Sequence, residues 1–261
     1  MARKRTIKKH NLTPETYHAD TKYISSTFVK NFIRCESAAL YQPNEDKECF
    51  KEGRYFETFL CGTEQDRVNF MANNQDMFSS KGATKGCLKS NYAKVENAVN
   101  AIKNQPFLMD IINNSEKQVI MVGKIAGVPM KAMFDLINLE TGDIFDLKCM
   151  SDFKTMYDEN RGQYVDWWEG YNYHVQMYIY REIARQNGVP EGRTGLIAAN
   201  KKETPDIKAI QFSDGWLELA KWITLKALER YKEVKAGDEP ISCEHCEWCI
   251  KNKVVNEFEI I

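Results

Sequence analysis

No stretch of this sequence approaches the length of a membrane span, and the basic N-terminus, MARKRTIKKH, lacks the apolar run that a secretory signal needs. A cytoplasmic protein with no membrane partner is expected. Neither sign of charge is in excess. The 36 Lys and Arg against 37 Asp and Glu leave a net charge of −1, which argues against a simple nucleic-acid coating protein but leaves room for a local basic surface. Internal repeats and low-complexity segments are absent, and 43% hydrophobic with 28% charged residues is an ordinary globular composition, which excludes disorder. Eight cysteines in a chain expected in the cytoplasm do not describe a disulfide framework, so their placement matters more than their number.

At 261 residues the chain is long enough to bury most of its apolar surface. A single domain is expected over 1–261, with a basic N-terminal arm (1–10) and a cysteine cluster (243–249). Five of the first nine residues are Arg or Lys, and Arg3, Lys4 and Arg5 are candidate phosphate contacts. Ser25 or Ser26 caps a short helix through Phe28, Phe32 and Ile33, and Tyr92, Val95, Val99 and Ile102 mark a helix ending before Pro106. From Lys117 the period becomes two. Val119 and Met121 alternate with their neighbours, then Met130, Ala132, Phe134 and Leu136 share one strand face with Asp135 on the other. After a turn at Glu140-Thr141-Gly142, a third strand sets Ile144, Asp146 and Lys148 on one side and Phe145, Leu147 and Cys149 on the other. Tyr164 to Asn187 reads as one long aromatic helix, Gly195 to Ala199 and Ile207 to Phe212 as strands, and Ser213 or Asp214 as the cap of a last helix through Tyr231. This order predicts an α/β or α+β domain on a central mixed sheet flanked by helices.

The hairpin from Gly127 to Met150 thus brings Asp135, Asp146 and Lys148 together. Phosphodiester hydrolysis needs a nucleophilic water, charge neutralisation on the phosphoryl oxygens and help for the leaving oxygen. Carboxylates holding Mg²⁺ or Mn²⁺ supply much of this, and an adjacent lysine can orient the water and offset developing charge. The D-x-K spacing alone is weak, since it recurs at Asp20/Lys22, Asp152/Lys154 and Asp206/Lys208. Only Asp146/Lys148 lies in a β-like run with an acid, Asp135, on the neighbouring strand.

Asp135, then Asp146-Leu147-Lys148, then Gln176 and Tyr180 in a Q-x-x-x-Y spacing resembles the PD-(D/E)XK nucleases of the RecB and RecE type. Gly53-Arg54-Tyr55-Phe56-Glu57 resembles the G-x-x-x-H or G-x-x-x-D helix of RecE-like phage exonucleases, with a glutamate at the metal-binding position and Glu52 as a possible substitute. Phe32 to Glu36 and Lys117 to Ile120 also look like the phage branch. The resemblance implies a restriction-endonuclease-like core. It implies Asp135, Asp146 and Glu57 as metal ligands, Leu147 as a carbonyl ligand, Lys148 as the water-activating lysine, and Gln176 and Tyr180 positioning DNA or that lysine. A phage protein in a bacterial host, acting on double-stranded DNA ends, is implied, as are a ring-like homo-oligomer and a single-strand annealing recombinase as partner. Two rivals stay open: an endonuclease or CRISPR-adaptation-type nuclease of the same fold, and a DNA-binding module that holds a metal cluster without cutting.

Cys243, Cys246 and Cys249 pack three thiols around His245 within seven residues. That spacing suits a Cys₃His zinc site, or a [4Fe–4S] cluster with Cys35 as the distant fourth ligand. Several RecB-like nucleases clamp their domain in the second way, with one early and three late cysteines, and the resemblance puts Cys35 at the early position. Cys49, Cys61, Cys87 and Cys149 read as small buried residues.

Overall fold

A computed structural model of the chain describes residues 10–43, 47–159 and 161–256. Arg3, Lys4 and Arg5 lie outside the described residues. Thr13 caps a single turn, α1 (Pro14–Tyr17), and the Ser25 hydroxyl accepts the N–H of Phe28, turning the chain from β1 (Ile24–Ser25) directly into α2 (Ser26–Arg34). Cys35 leaves α2 in extended backbone, and its Sγ accepts the N–H of Ala38 to start α3 (Glu36–Tyr41). Four helices follow: α4 (Glu48–Cys61), α5 (Glu64–Asn73), α6 (Ser90–Lys103) and α7 (Pro106–Asn113), the last opened by a proline at its first position.

The hairpin β2 (Glu116–Ile125) to β3 (Val128–Ile137) closes through Ala126 and Gly127, both at positive φ (48° and 80°), as a tight two-residue connection requires. β4 (Ile144–Met150) is followed by a small hairpin of β5 (Met156–Asp158) and β6 (Gln163–Val165), then α8 (Trp167–Gly170) and α9 (Tyr173–Gln186). The chain ends through β7 (Thr194–Asn200), β8 (Ile207–Gln211), the long α10 (Asp214–Ala236) capped by Ser213, and α11 (Glu247–Lys251). β4 and β7 pair in parallel at the centre, β8 lies antiparallel on β7, and β3 lies antiparallel on β4. This is the mixed sheet flanked by helices that the element order predicts.

Two cores cover the two faces of the sheet. Ile144, Leu196 and Ala198 point to the side of Val175, Ile179 and Ile183 of α9 and Leu217 and Leu228 of α10. Phe145, Leu147, Ile197 and Ala199 point to the side of Tyr55, Phe56 and Leu60 of α4 and Tyr92, Val95 and Ile102 of α6. The strict alternation along β4 and β7 fixes the face on which every polar side chain of β4 emerges.

Three sequence expectations change. Tyr164 to Asn187 is not one helix: Tyr164 belongs to β6, and Asn172, at φ 55°, breaks the path before α9 begins at Tyr173. The aromatic residues mimic helical spacing because they serve a strand, a short turn and a helix in succession. Leu136 does not share a face with Met130, Ala132 and Phe134; it packs in the opposite core, beside Phe145. The twist is local, since Gln118, opposite Asp135, has φ 51° and interrupts the β2–β3 pairing between Lys117–Leu136 and Val119–Phe134. Cys49 and Cys87 are exposed rather than buried, while Cys61 and Cys149 are half-buried against the α4–α6 core.

Candidate active site and cysteine centre

β3 uses one edge for β2 from Val128 to Ile137, interrupted only at Asp135 opposite Gln118. Its other edge is divided. β4 pairs only at Leu136 and Ile137, and β1 pairs only at Met130 and Lys131. Ala132 to Asp135 therefore face a gap where the sheet has opened. Asp135 fills it by accepting the Leu147 N–H on Oδ2 at 2.8 Å, a side chain taking over a bond the ladder has given up.

Asp146, only 2% exposed, enters from β4 on the α9 side. Its Oδ1 accepts from Gln176 Nε2 at 2.6 Å, and its Oδ2 forms an ion pair with Lys148 Nζ. Glu57 on α4 completes a group of three carboxylates in mutual electrostatic reach. Burial, followed by the charges of Asp146 and Glu57, holds the Asp135 carboxyl well above the usual carboxylate range. Burial pushes Glu57 up to about 7, with Lys148 pulling down and Asp146 pushing up. For Lys148, burial acts downward, but the charges of Asp146, Tyr173 and Asp135 outweigh it and hold the ammonium above its ordinary range. Asp135 and Glu57, two acids that resist ionisation beside Asp146, are carboxylates whose charge a divalent cation would relieve, chemistry that suits Mg²⁺ or Mn²⁺.

Glu52 does not substitute for Glu57. It is buried elsewhere on α4, paired with Lys201 and accepting from Asn91 Nδ2 at 2.8 Å. Gln176 and Tyr180 share one face of α9, as their spacing requires. Gln176 reaches Asp146, and Tyr180 lies against the Phe134 ring at 4.9 Å, its hydroxyl pushed up by burial and then by the charge of Asp146. The sequence does not single out Lys30, whose Nζ donates to Gln176 Oε1 at 2.5 Å. The Asp146–Gln176 pair is thereby extended to α2. The only sequence signal for it was a Lys30/Arg34 pair four apart on a helix that itself carries no acid.

The second centre joins the chain's two ends. The thiols of Cys35, Cys243, Cys246 and Cys249 all lie within 4.8 Å of one another, and Cys35 and Cys249 are 3.5 Å apart. Glu244, at φ 67°, bends the loop so that the Cys246 N–H meets Cys243 Sγ at 3.3 Å. The fourth thiol of this group is Cys35, and His245, which lines an adjoining groove, is not part of it. Four converging sulfurs fit an iron-sulfur cluster or zinc. Burial raises the Cys249 thiol, but the Glu244 N–H together with Cys35 and Cys246 outweighs it and holds this thiol down to about 6, while burial holds its neighbours Cys35 and Cys246 above the ordinary thiol range. Around it Glu36 accepts from Arg230 Nε and from the Ile241 N–H, fastening α3 to α10 and to the segment that carries the late cysteines.

A sheet opened between two acid-bearing strands, with D-x-K on the second and a glutamine from the following helix, defines a PDDEXK-like nuclease fold. The chain belongs to the family described as "PDDEXK-like domain of unknown function (DUF3799)", whose model matches residues 25–252, and with it to the PD-(D/E)XK superfamily. No curated protein matches it. A crystal structure from Eubacterium rectale, described as a "Putative exonuclease", superposes with a TM-score of 0.80 at 27% identity, covering 97% of each chain. The solved structure of SSO0001 matches at 12% identity and a TM-score of 0.30, covering 85% of this chain and 91% of its own, and bears on nothing further.

Proposed function

We propose that this chain is a Mg²⁺-dependent exodeoxyribonuclease that resects double-stranded DNA ends in the 5′-to-3′ direction for phage-type recombination. The observation that carries the reading is the opened β3–β4 edge, where Asp135, Asp146, Glu57 and Lys148 meet. Asp135, Asp146 and Glu57 would hold the metal, with the Leu147 carbonyl. A strand residue turns its N–H and C=O to the same edge, so this carbonyl faces the gap in which Asp135 receives the Leu147 N–H. When bound, the cation lowers the pKa of its water and neutralises charge on the phosphoryl group. Lys148, paired with Asp146, places an ammonium where it orients the attacking water and balances negative charge. Gln176 fixes the Asp146 carboxylate, and Tyr180 backs that face of α9.

The description of the Eubacterium rectale protein supports exonuclease over endonuclease. A single-strand annealing recombinase and a ring-shaped homo-oligomer belong to the same reading through the RecE-type resemblance. The four cysteines, whose thiols converge, would hold a [4Fe–4S] cluster, with zinc as the alternative occupant. No helix of the described residues is long and apolar enough to cross a membrane. A time course on linear and covalently closed circular duplex, with and without Mg²⁺, tests the activity. Loss of linear DNA alone, only with Mg²⁺ and with early release of a 5′ label, is expected. Cutting of the closed circle would overturn the exonuclease assignment, and absence of cutting under every condition would overturn the nuclease assignment.

A further inference from the structure

Lys30 and Arg34 occupy successive turns of one face of α2, about 5–6 Å apart at their Cβ atoms by helix geometry. Lys30 Nζ lies 4.7 Å from the centroid of the Tyr173 ring, and Lys148 Nζ lies 5.0 Å from the same centroid, so two ammonium groups are gathered at one aromatic ring beside Asp146. Lys148 has Asp146 as its counter-ion. Lys30 forms no ion pair: its hydrogen-bond acceptor is the neutral amide of Gln176, among the described residues no carboxylate pairs with Lys30 or with Arg34, and burial and the charge of Lys148 outweigh the pull of Asp146 and Asp135 on its ammonium. A half-buried ammonium held by a neutral acceptor, next to a second cation, is costly unless an anion arrives. Arg34 is exposed and borders a groove of about 540 Å³ between α2, the β5–β6 hairpin and α10, whose lining carries Arg161, Lys226 and Arg230 together with the acids Glu36, Asp158 and Glu159. The two cations therefore lead from the carboxylate centre toward open surface.

We infer that Lys30 and Arg34 form a phosphate-binding subsite, in which Lys30 contacts the nucleic-acid phosphate at the carboxylate centre and Arg34 contacts the next one along the strand. This rests on the nuclease reading above for what occupies the centre. The ligand chemistry is a phosphate oxygen, from an internal diester or from a terminal phosphate. Lys30 touches substrate through its ammonium while Gln176 holds it in line with Asp146. The metal carboxylates and these cations thereby face the reacting group from two sides.

The test is binding of a fluorescent duplex, with 5′-hydroxyl or 5′-phosphate ends, in EDTA so that nothing is cut, over about 50 to 200 mM salt. Lys30→Met and Arg34→Met should each reduce the slope of log affinity against log salt by about one, and the double variant by about two. Lys30→Arg should keep the slope, and Lys221→Met, a surface residue of α10, should leave it at the wild-type value. In Mg²⁺, Lys30→Met should lower kcat at saturating DNA on the order of 10²-fold. A slope change with both duplexes identifies internal diesters, and one confined to the 5′-phosphate duplex identifies the terminal group. Wild-type slopes in both Met variants overturn the subsite, even where Lys30→Met slows cleavage, because orienting Gln176 would not change the number of phosphates neutralised. A wild type that binds duplex without cutting it fells the nuclease reading alone, and the slopes still decide on the subsite. A wild type that does not bind DNA overturns both.

Discussion

Asp146 and Lys148 differ from the chain's other D-x-K pairs in what surrounds them. Asp152 is tied to exposed Lys202 and Lys154, at 3.1 and 3.5 Å, and Asp206 pairs with Lys208 at the surface. Exposed pairs of this kind contribute little. Asp146→Asn and Lys148→Ala should therefore each reduce cleavage by on the order of 10²-fold or more with an unchanged circular dichroism spectrum, while Asp152→Ala and Lys154→Ala stay near wild type. Equal losses from both pairs would assign the chemistry to the wrong strand. Glu57→Gln keeps the size of the side chain and removes a charge that a hard cation prefers, so the Mg²⁺ concentration for half-maximal rate should rise. A wild-type metal titration would remove Glu57 from the site.

At the scale of elements, the site depends on where β3 and β4 stay paired and where they part. The turn that joins them is pinned: Gly142 has φ 79°, and a Cβ built there would lie 2.0 Å from Pro190 O, at the approach to β7. Gly142→Ala should cost about 1–3 kcal/mol through a strained left-handed residue and a backbone clash. The measurement is the Tm, which should drop by several degrees; an unchanged Tm would mean that the turn is free to move away from Pro190. α2 and α9 form the opposite wall, joined through Lys30, Gln176 and Asp146. Opening the sheet here exchanges ladder bonds for side-chain bonds, which is how acids from two strands come within electrostatic reach of each other.

For the whole molecule, the metal-free fold carries the cost of its crowded acids. Glu57 rises from 4.5 to about 7 in the folded state and Asp135 rises as well. A carboxyl whose folded pKa is raised favours the fold at low pH, and that contribution is lost as pH climbs from about 4.5 through 7. Metal binding offsets the loss, so the rise in Tm on adding Mg²⁺ should be larger at pH 8 than at pH 5.5. A pH-independent increment would place the cation elsewhere. The other global constraint is the thiol centre, which joins Cys35 to a segment more than 200 residues later. On the proposed metal centre, Cys35→Ser should lower both the metal content and the Tm, whereas His245→Ala should lower neither. Metal analysis with a visible spectrum distinguishes iron and sulfide from zinc, and metal retained in Cys35→Ser would return the site to a local Cys₃His form.

The alternation along the two hairpin strands was enough to read β3 and β4, the face shared by Asp146 and Lys148, and the helix face shared by Gln176 and Tyr180, because period two and period 3.6 are local properties. Ser213 and Asn187-Gly188 set helix ends for the same reason, and the three late cysteines announced a centre through spacing alone. The aromatic stretch from Tyr164 misled, since one composition serves strand, turn and helix when tertiary packing, not propensity, decides. Leu136 misled because a twist at Gln118 comes from the partner strand. Only the folded chain excluded Glu52, by giving it Lys201, and only it set Lys30 against Gln176, whereas Cys35 was matched to the late cysteines by the resemblance to RecB-like nucleases and not by any spacing of its own. Those partners are brought together by the closing of the sheet and its two helical layers, a long-range condition that no local spacing encodes.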